Sequence, residues 1–261
     1  MPTVRSDDAD IAYEVTGDGD PLLLIMGFAA DSRMWMLQAP AFAQSHRVIT
    51  FDNRGSGGSS KPPAPYSMEQ MADDARAVLD AEGIERAHVV GISMGGAIAQ
   101  HLALSEPSRV RSLVLAATWC APNAYTQRLS DLGERVLQAG GMEALISASM
   151  LWLFTPRFII ENAMFVESIE AMALALAPPI EAVRAQQEAL LRHDTVERLA
   201  SLDVPTLVMC GRRDTMVPPE LSQQVAAAIP GAELVMTDSG HAFNIEEAET
   251  FNKLVLGFLA F

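Results

Sequence analysis

Gly91-Ile92-Ser93-Met94-Gly95 lies between the apolar run Ala87–Ile92 and a helical stretch from Met94 to Ser105, and its reading decides the fold. A serine placed where a buried strand hands over to a helix must sit on a sharp turn. Glycines two residues before and two after let the backbones approach, and the hydroxyl then projects at the carboxyl end of the strand. The plain alternative makes Ser93 a helix N-cap with incidental glycines. It leaves unused Gly96, Ala97 and Ala99, which keep that helix slim enough to lie against a sheet.

Outward from this turn, strands and helices alternate. Pro21 to Met26, Arg47 to Phe51, Ala87 to Ile92 and Arg111 to Ala116 are short and rich in Val, Leu and Ile, as strands covered on both faces are. Thr3 to Thr16 reads as a hairpin closed by Gly17-Asp18-Gly19-Asp20-Pro21. Between strands, Ser67 to Glu82 repeats apolar residues at helical spacing. From about Pro122 to Leu199 the chain reads as helix throughout, and strands return at Val204 to Cys210 and Glu233 to Thr237 before a closing helix, Glu246 to Leu259. Alternation of this kind predicts an α/β fold, a mostly parallel sheet with helices on both faces. The expected division is a core of residues 1–121 and 200–261, with residues 122–199 inserted as a helical cap.

Composition narrows the function classes. Of 261 residues 49% are hydrophobic and 20% charged, enough for a large buried core and against disorder. The formal net charge of -15 repels phosphate backbones and anionic lipid heads, so nucleic acid and membrane surfaces are not expected partners. The start is acidic and no continuous apolar run has membrane-spanning length, so a cytoplasmic protein is expected. Cys120 and Cys210 leave one disulfide open but form no framework.

Serine is a weak nucleophile without a base, and the base needs an orienting acid. Asp214 follows the strand ending at Cys210, and His241 follows the strand ending at Thr237. Of the other histidines, His46 and His88 begin strands at the far edge, His101 lies in the helix after Ser93, and His193 lies in the insert. Among the acids, Asp203 precedes its strand and Asp238 reads as structural, while Ala117-Thr118-Trp119-Cys120 holds no carboxylate. The expected catalytic set is therefore Ser93, Asp214 and His241, in that chain order.

Together with Asp52-Asn53-Arg54-Gly55-Ser56-Gly57-Gly58-Ser59, these motifs resemble the α/β-hydrolase superfamily over about Tyr13 to Phe258. The branch they most resemble holds small esterases, 3-oxoadipate enol-lactonases and haloperoxidase-like proteins. The resemblance implies a twisted sheet of about eight strands and an oxyanion hole built from the backbone N–H groups of Met94 and, after Gly27, Phe28. Met26-Gly27 stands where many relatives carry His-Gly. The backbone donor survives that change, but a side chain able to anchor the loop is lost.

Two further signals weigh little. Arg54-Gly55-Ser56-Gly57-Gly58-Ser59-Ser60-Lys61 lacks the Gly-Lys-Ser/Thr of a phosphate loop, and Pro62 offers no N–H. No Cys/His spacing suggests zinc, so neither a metal nor a cofactor is expected. The insert carries Met142, Met150, Trp152, Phe154, Phe158, Met164, Phe165 and Met172, of which about two-thirds are assigned to packing. Phe28, Met94, Trp119, Val217 and, from the insert, Trp152 are the pocket candidates. The expected activity is hydrolysis of a hydrophobic small-molecule carboxylic ester or lactone through an acyl-enzyme. The same residues also suit a C–C bond hydrolase, a cofactor-free perhydrolase or a low-turnover ligand receptor, and a homodimer is left open.

Overall fold

In a computed structural model that describes residues 1–260, eight strands form one sheet in the order β1-β2-β4-β3-β5-β6-β7-β8. Their ranges are β1 Thr3–Ser6, β2 Ala9–Thr16, β3 Asp20–Ile25, β4 His46–Phe51, β5 Ala87–Ile92, β6 Val110–Ala116, β7 Thr206–Gly211 and β8 Glu233–Thr237. β1 and β2 are antiparallel, as the hairpin reading expects, and β2 also pairs antiparallel with β4. Every pairing from β4 to β8 is parallel. All six residues of β5 and of β7 are buried, which is why those strands read as unbroken apolar runs.

Among the described residues ten α-helices accompany the sheet. They are α1 Ala39–Phe42, α2 Met68–Ala81, α3 Met94–Ser105, α4 Ala124–Leu153, α5 Pro156–Glu161, α6 Ala163–Ala175, α7 Ile180–Leu191, α8 Pro219–Ala228, α9 Phe243–Glu246 and α10 Ala248–Leu259. The sheet separates two cores. One joins Leu23, Ile25, Val89 and Leu113 to α2 and α3. The other joins Leu22, Leu24, Val90 and Val114 to Trp35 and to Phe251 of α10. Alternate residues of β3 thus serve opposite faces, as strand geometry requires. The closing helix is shorter than expected: Glu247, with φ −129°, separates the single turn α9 from α10.

α4 to α7 occupy the chain between β6 and β7. Here one expectation is corrected. α4 is long and apolar enough, by length and composition, to cross a membrane. Its sequence contains no continuous apolar run because Gln138, Glu143, Ser147 and Ser149 interrupt it, while Val, Leu, Ile, Met and Ala keep the mean hydropathy high. The helix is also broken at Gly141, whose φ of 71° and ψ of −164° are not helical.

The Asp52–Ser59 motif is a structural knot. Arg54, with its side chain fully buried, forms a two-toothed ion pair with Asp74 of α2 at 2.6 and 2.7 Å. Asp52 accepts from the backbone N–H groups of Ser32 and Gly58 at 2.8 and 2.7 Å. Gly57 is obligatory here, because a Cβ would lie 2.1 Å from Asp52 Oδ2 and its φ is +47°. Cys120 and Cys210 are both free and buried, and burial pushes the Cys210 thiol up to about 11.

Candidate active site

The loops after β3, β4, β5, β6, β7 and β8 all open at one rim, because the strands run parallel. Three non-glycine residues at that rim have positive φ: Ala29 at 54°, Ser93 at 56° and Ala117 at 47°. Strain concentrated in this way costs of order 1–3 kcal/mol per residue and persists only where the surroundings enforce it. For Ser93 they do. Its N–H donates to Ala116 O at 2.8 Å, and its carbonyl accepts from Thr118 Oγ1 at 2.9 Å.

The glycines of the turn are there for space. A Cβ on Gly91 would stand 2.2 Å from Gly95 O, one on Gly95 2.0 Å from Ile25 O, and one on Gly96 2.6 Å from the Thr118 side chain. Strand β5, helix α3 and the β3 loop therefore touch backbone to backbone, with Ser93 at the junction.

Asp214 and His241 meet as expected. His241 Nδ1 lies 2.8 Å from Asp214 Oδ2, and both residues are buried, at 4% exposure each. Asp214 Oδ1 accepts from the N–H groups of Met216 and Val217 at 2.9 and 2.8 Å, so the carboxylate is fixed from both oxygens. With Nδ1 bonded to a carboxylate it carries the proton, which leaves Nε2 as the basic nitrogen. Ser93 and His241 line the same cavity. Asp238 is instead held by Arg213 at 2.8 Å through both oxygens.

The loop bearing His241 is bolted to the helices between β6 and β7. The Glu246 carboxylate accepts from the N–H groups of Gly240 and Thr155, each at 3.1 Å, and from the Thr155 hydroxyl. Ala242 N–H donates to Leu153 O at 2.9 Å.

Of the two expected oxyanion donors, Met94 is the first residue of α3, where N–H groups lack helical acceptors. Phe28 follows Gly27, whose absent Cβ would lie 3.2 Å from Ser93 Cβ, so this loop runs directly over the serine. The anchor that Met26 cannot supply comes from elsewhere. Asn53 Nδ2 donates to Met26 O at 2.8 Å, and Gln186 Oε1 on α7 accepts from Ala29 N–H at 2.9 Å. Gln186, completely buried, also reaches Arg54 O at 2.8 Å and thereby ties the loop to the arginine knot.

The cavity measures about 320 Å³. Phe28, Trp119, Trp152 and Val217 line it; the Met94 side chain does not, and packs with α2 and β3 in the core. That correction follows from α3 being buried all round, so that position beside Ser93 does not imply orientation toward the cavity. Five of the eight large residues singled out in the insert line the cavity: Met142, Met150, Trp152, Phe154 and Met172. Met150 and Phe154 do both, lining the cavity while buried in an apolar cluster against which Phe158 packs, and Met164 is 84% exposed. Among the described residues no lysine or arginine lines the cavity, and no cluster of His, Cys, Asp or Glu could hold a metal.

Residues 20–138 and 143–248 match the family described as alpha/beta hydrolase fold, and the chain belongs to that family. It is 39% identical over 259 residues to an Azorhizobium caulinodans protein named "Putative carbamate hydrolase RutD", covering 99% of this chain and 98% of the other. Among solved structures it is similar to a hydrolase from Pseudomonas aeruginosa PA01, with a TM-score of 0.90, 33% identity, and 99% and 97% of the two chains covered. It is also similar to the enol-lactonase of Burkholderia xenovorans LB400, with a TM-score of 0.92 at 27% identity and both chains covered in full.

Proposed function

We propose that this hydrolase cleaves a neutral carboxylic ester or lactone with an apolar acyl or alcohol part, through an acyl-enzyme on Ser93. The observation that carries the proposal is a single cavity holding Ser93 and the Asp214-oriented His241 within otherwise largely apolar walls. His241 Nε2 takes the Ser93 proton as Oγ attacks the carbonyl carbon. The tetrahedral oxyanion is stabilised by the N–H groups of Phe28 and Met94. His241 then gives the proton to the leaving alcohol, and later activates the water that releases the acid. Residues 122–199 act as the cap that closes this cavity over the serine.

The relatives' carbamate-hydrolase name favours a second reading on the same residues. A small anionic carbamate would enter walls that include Asp31, already paired with Arg33, and no lysine or arginine to pair with the ligand. An uncompensated charge in such surroundings is costly to desolvate. A neutral carbamate ester meets no such penalty.

The test is a substrate panel at fixed chain length: methyl hexanoate, a six-carbon lactone, a neutral carbamate ester, and the hexanoate analogue ending in a carboxylate. The neutral ester or lactone is expected to exceed the carboxylate-bearing analogue in kcat/KM by about a hundredfold or more, on the scale of an unpaired buried charge. Equal rates would overturn the substrate assignment, and turnover of the carbamate alone would favour the second reading.

A further inference from the structure

Asn244 stands one residue triplet beyond His241, in the single turn α9, and it lines the same cavity while being only 3% exposed. Its amide could in principle face either way, but its neighbours determine which way it faces. Leu37 O is a carbonyl and can only accept, so the Asn252 atom 2.8 Å from it is the donor Nδ2. Asn252 Oδ1 is then the acceptor for Gln38 Nε2 at 3.2 Å. The backbone carbonyl of Asn244 fixes the same choice independently, because Gln38 Nε2 lies 2.6 Å from it. Gln38, wholly buried, is thereby left with Oε1 turned to the Asn244 side chain. Only Nδ2 of Asn244 can face that oxygen, at 3.5 Å. Three amides in series, ordered from a surface carbonyl inward, thus leave Asn244 Oδ1 as the end of the chain.

That oxygen takes no hydrogen bond from the protein among the described residues, and it is not sealed off from contact. Two other polar groups at the cavity wall are already used, whereas Trp119 Nε1 is a donor with no protein partner among the described residues and so cannot serve a substrate donor. Asp31 binds Arg33 at 2.9 and 2.5 Å, and the Ser149 hydroxyl donates back to Ile146 O at 2.6 Å. An acceptor of fixed polarity, open to the cavity within three residues of His241, must be completed by water or by a donor on the ligand, and a ligand that excludes the water without replacing it incurs the cost.

We propose that Asn244 is a specificity-determining residue whose Oδ1 accepts a hydrogen bond from an O–H or N–H group of the substrate, borne close to the scissile carbonyl. The inference rests on the hydrolase function proposed above. It refines the substrate class to an ester or lactone with an apolar body and one such donor. An alkyl chain in that place removes water from Oδ1 and returns nothing, so the plain ester is the poorer substrate.

The experiment compares methyl hexanoate with methyl 2-hydroxyhexanoate, methyl 3-hydroxyhexanoate (both enantiomers of each) and methyl N-butanoylglycinate, followed by acid release in a pH-stat. At least one donor-bearing ester is expected to exceed the plain ester in kcat/KM by about tenfold, and which one does so distinguishes hydroxyl from N–H. In Asn244→Leu, or Asn244→Ala should the first not fold, that advantage is expected to fall to within about twofold. Titration calorimetry of the same esters against Ser93→Ala reads the preference without turnover. A donor preference in binding with no ester hydrolysed by the unaltered protein would sink the hydrolase reading and leave the Asn244 contact standing. No donor preference in either turnover or binding, or a preference that survives in both Asn244 variants, would overturn the inference.

Discussion

Ser93 is held at a positive φ of 56° by neighbours that cannot be enlarged. The added Cβ atoms at Gly91 and Gly95 would meet backbone oxygens at 2.2 and 2.0 Å, and backbone cannot rotate away as a side chain can. Gly91→Ala and Gly95→Ala are each expected to lower stability by roughly 2–3 kcal/mol or more, as forced overpacking does. Gly257→Ala, where a Cβ meets nothing within 4 Å, is expected to be neutral or slightly stabilising in its helix. Urea unfolding of the three variants checks the contrast, and equal midpoints would show that the tight turn is not what those glycines serve. At this scale the sequence was highly legible. Serine, acid and histidine each follow a strand at the same edge, and the strand pattern shows which edge that is. Met94 was not legible as a core residue, because its helix is buried on every side and has no polar face to reveal orientation.

At the scale of elements, the loop of the proposed base His241 depends on a contact between two distant stretches. Glu246 joins the His241 loop to Thr155, 91 positions away in the chain. Glu246→Gln keeps the shape but replaces one carboxylate oxygen by a donor facing N–H groups and a hydroxyl. Hydrogen bonds to a charged acceptor carry about 1.5–3 kcal/mol. The expected result is a kcat about tenfold lower with KM little changed, alongside a lower Tm; an unchanged kcat with a lower Tm would reduce Glu246 to a purely structural clip. Glu246, Gln186 and Asn244 were invisible in the sequence for one physical reason. Each acts on a group reached only through the tertiary fold, Gln186 at a separation of 157 residues and Asn244 at 206, where no local period carries a signal. Asn53 was readable in part, since it lies within the Asp52–Ser59 motif.

At the scale of the whole molecule, three buried histidines away from the site among the described residues, His88, His101 and His193, are held below the usual imidazole value, chiefly by burial. His88 and His193 are each pushed down to about 4, chiefly by burial, then by Arg111 and by His101 respectively. Their unfolded value is about 6.5. Between these limits the unfolded chain binds the extra proton, so stability rises with pH. The contribution is fully present above about 6.5 and is lost as pH falls toward about 4. Between pH 6.5 and 5, where most carboxylates are still ionised, His88 and His193 together are expected to remove up to about 2.7 kcal/mol per pH unit. Urea midpoints measured across that interval check this, and a flat profile would mean that the histidines are solvated in the folded state. Fold architecture was legible at this scale from strand alternation alone. The membrane-length apolarity of α4 was not, because Gln138, Glu143, Ser147 and Ser149 break its apolar residues into short pieces.

The central claim is that Ser93 is the nucleophile and that His241 activates it. Labelling with a fluorophosphonate, which forms a covalent bond to an activated serine oxygen, followed by peptide mass spectrometry, tests it most directly. The adduct is expected on the peptide containing Ser93, absent in Ser93→Ala, and formed at least about a hundredfold more slowly in His241→Ala. An adduct on another serine, or labelling that is unaffected by loss of His241, would contradict the account.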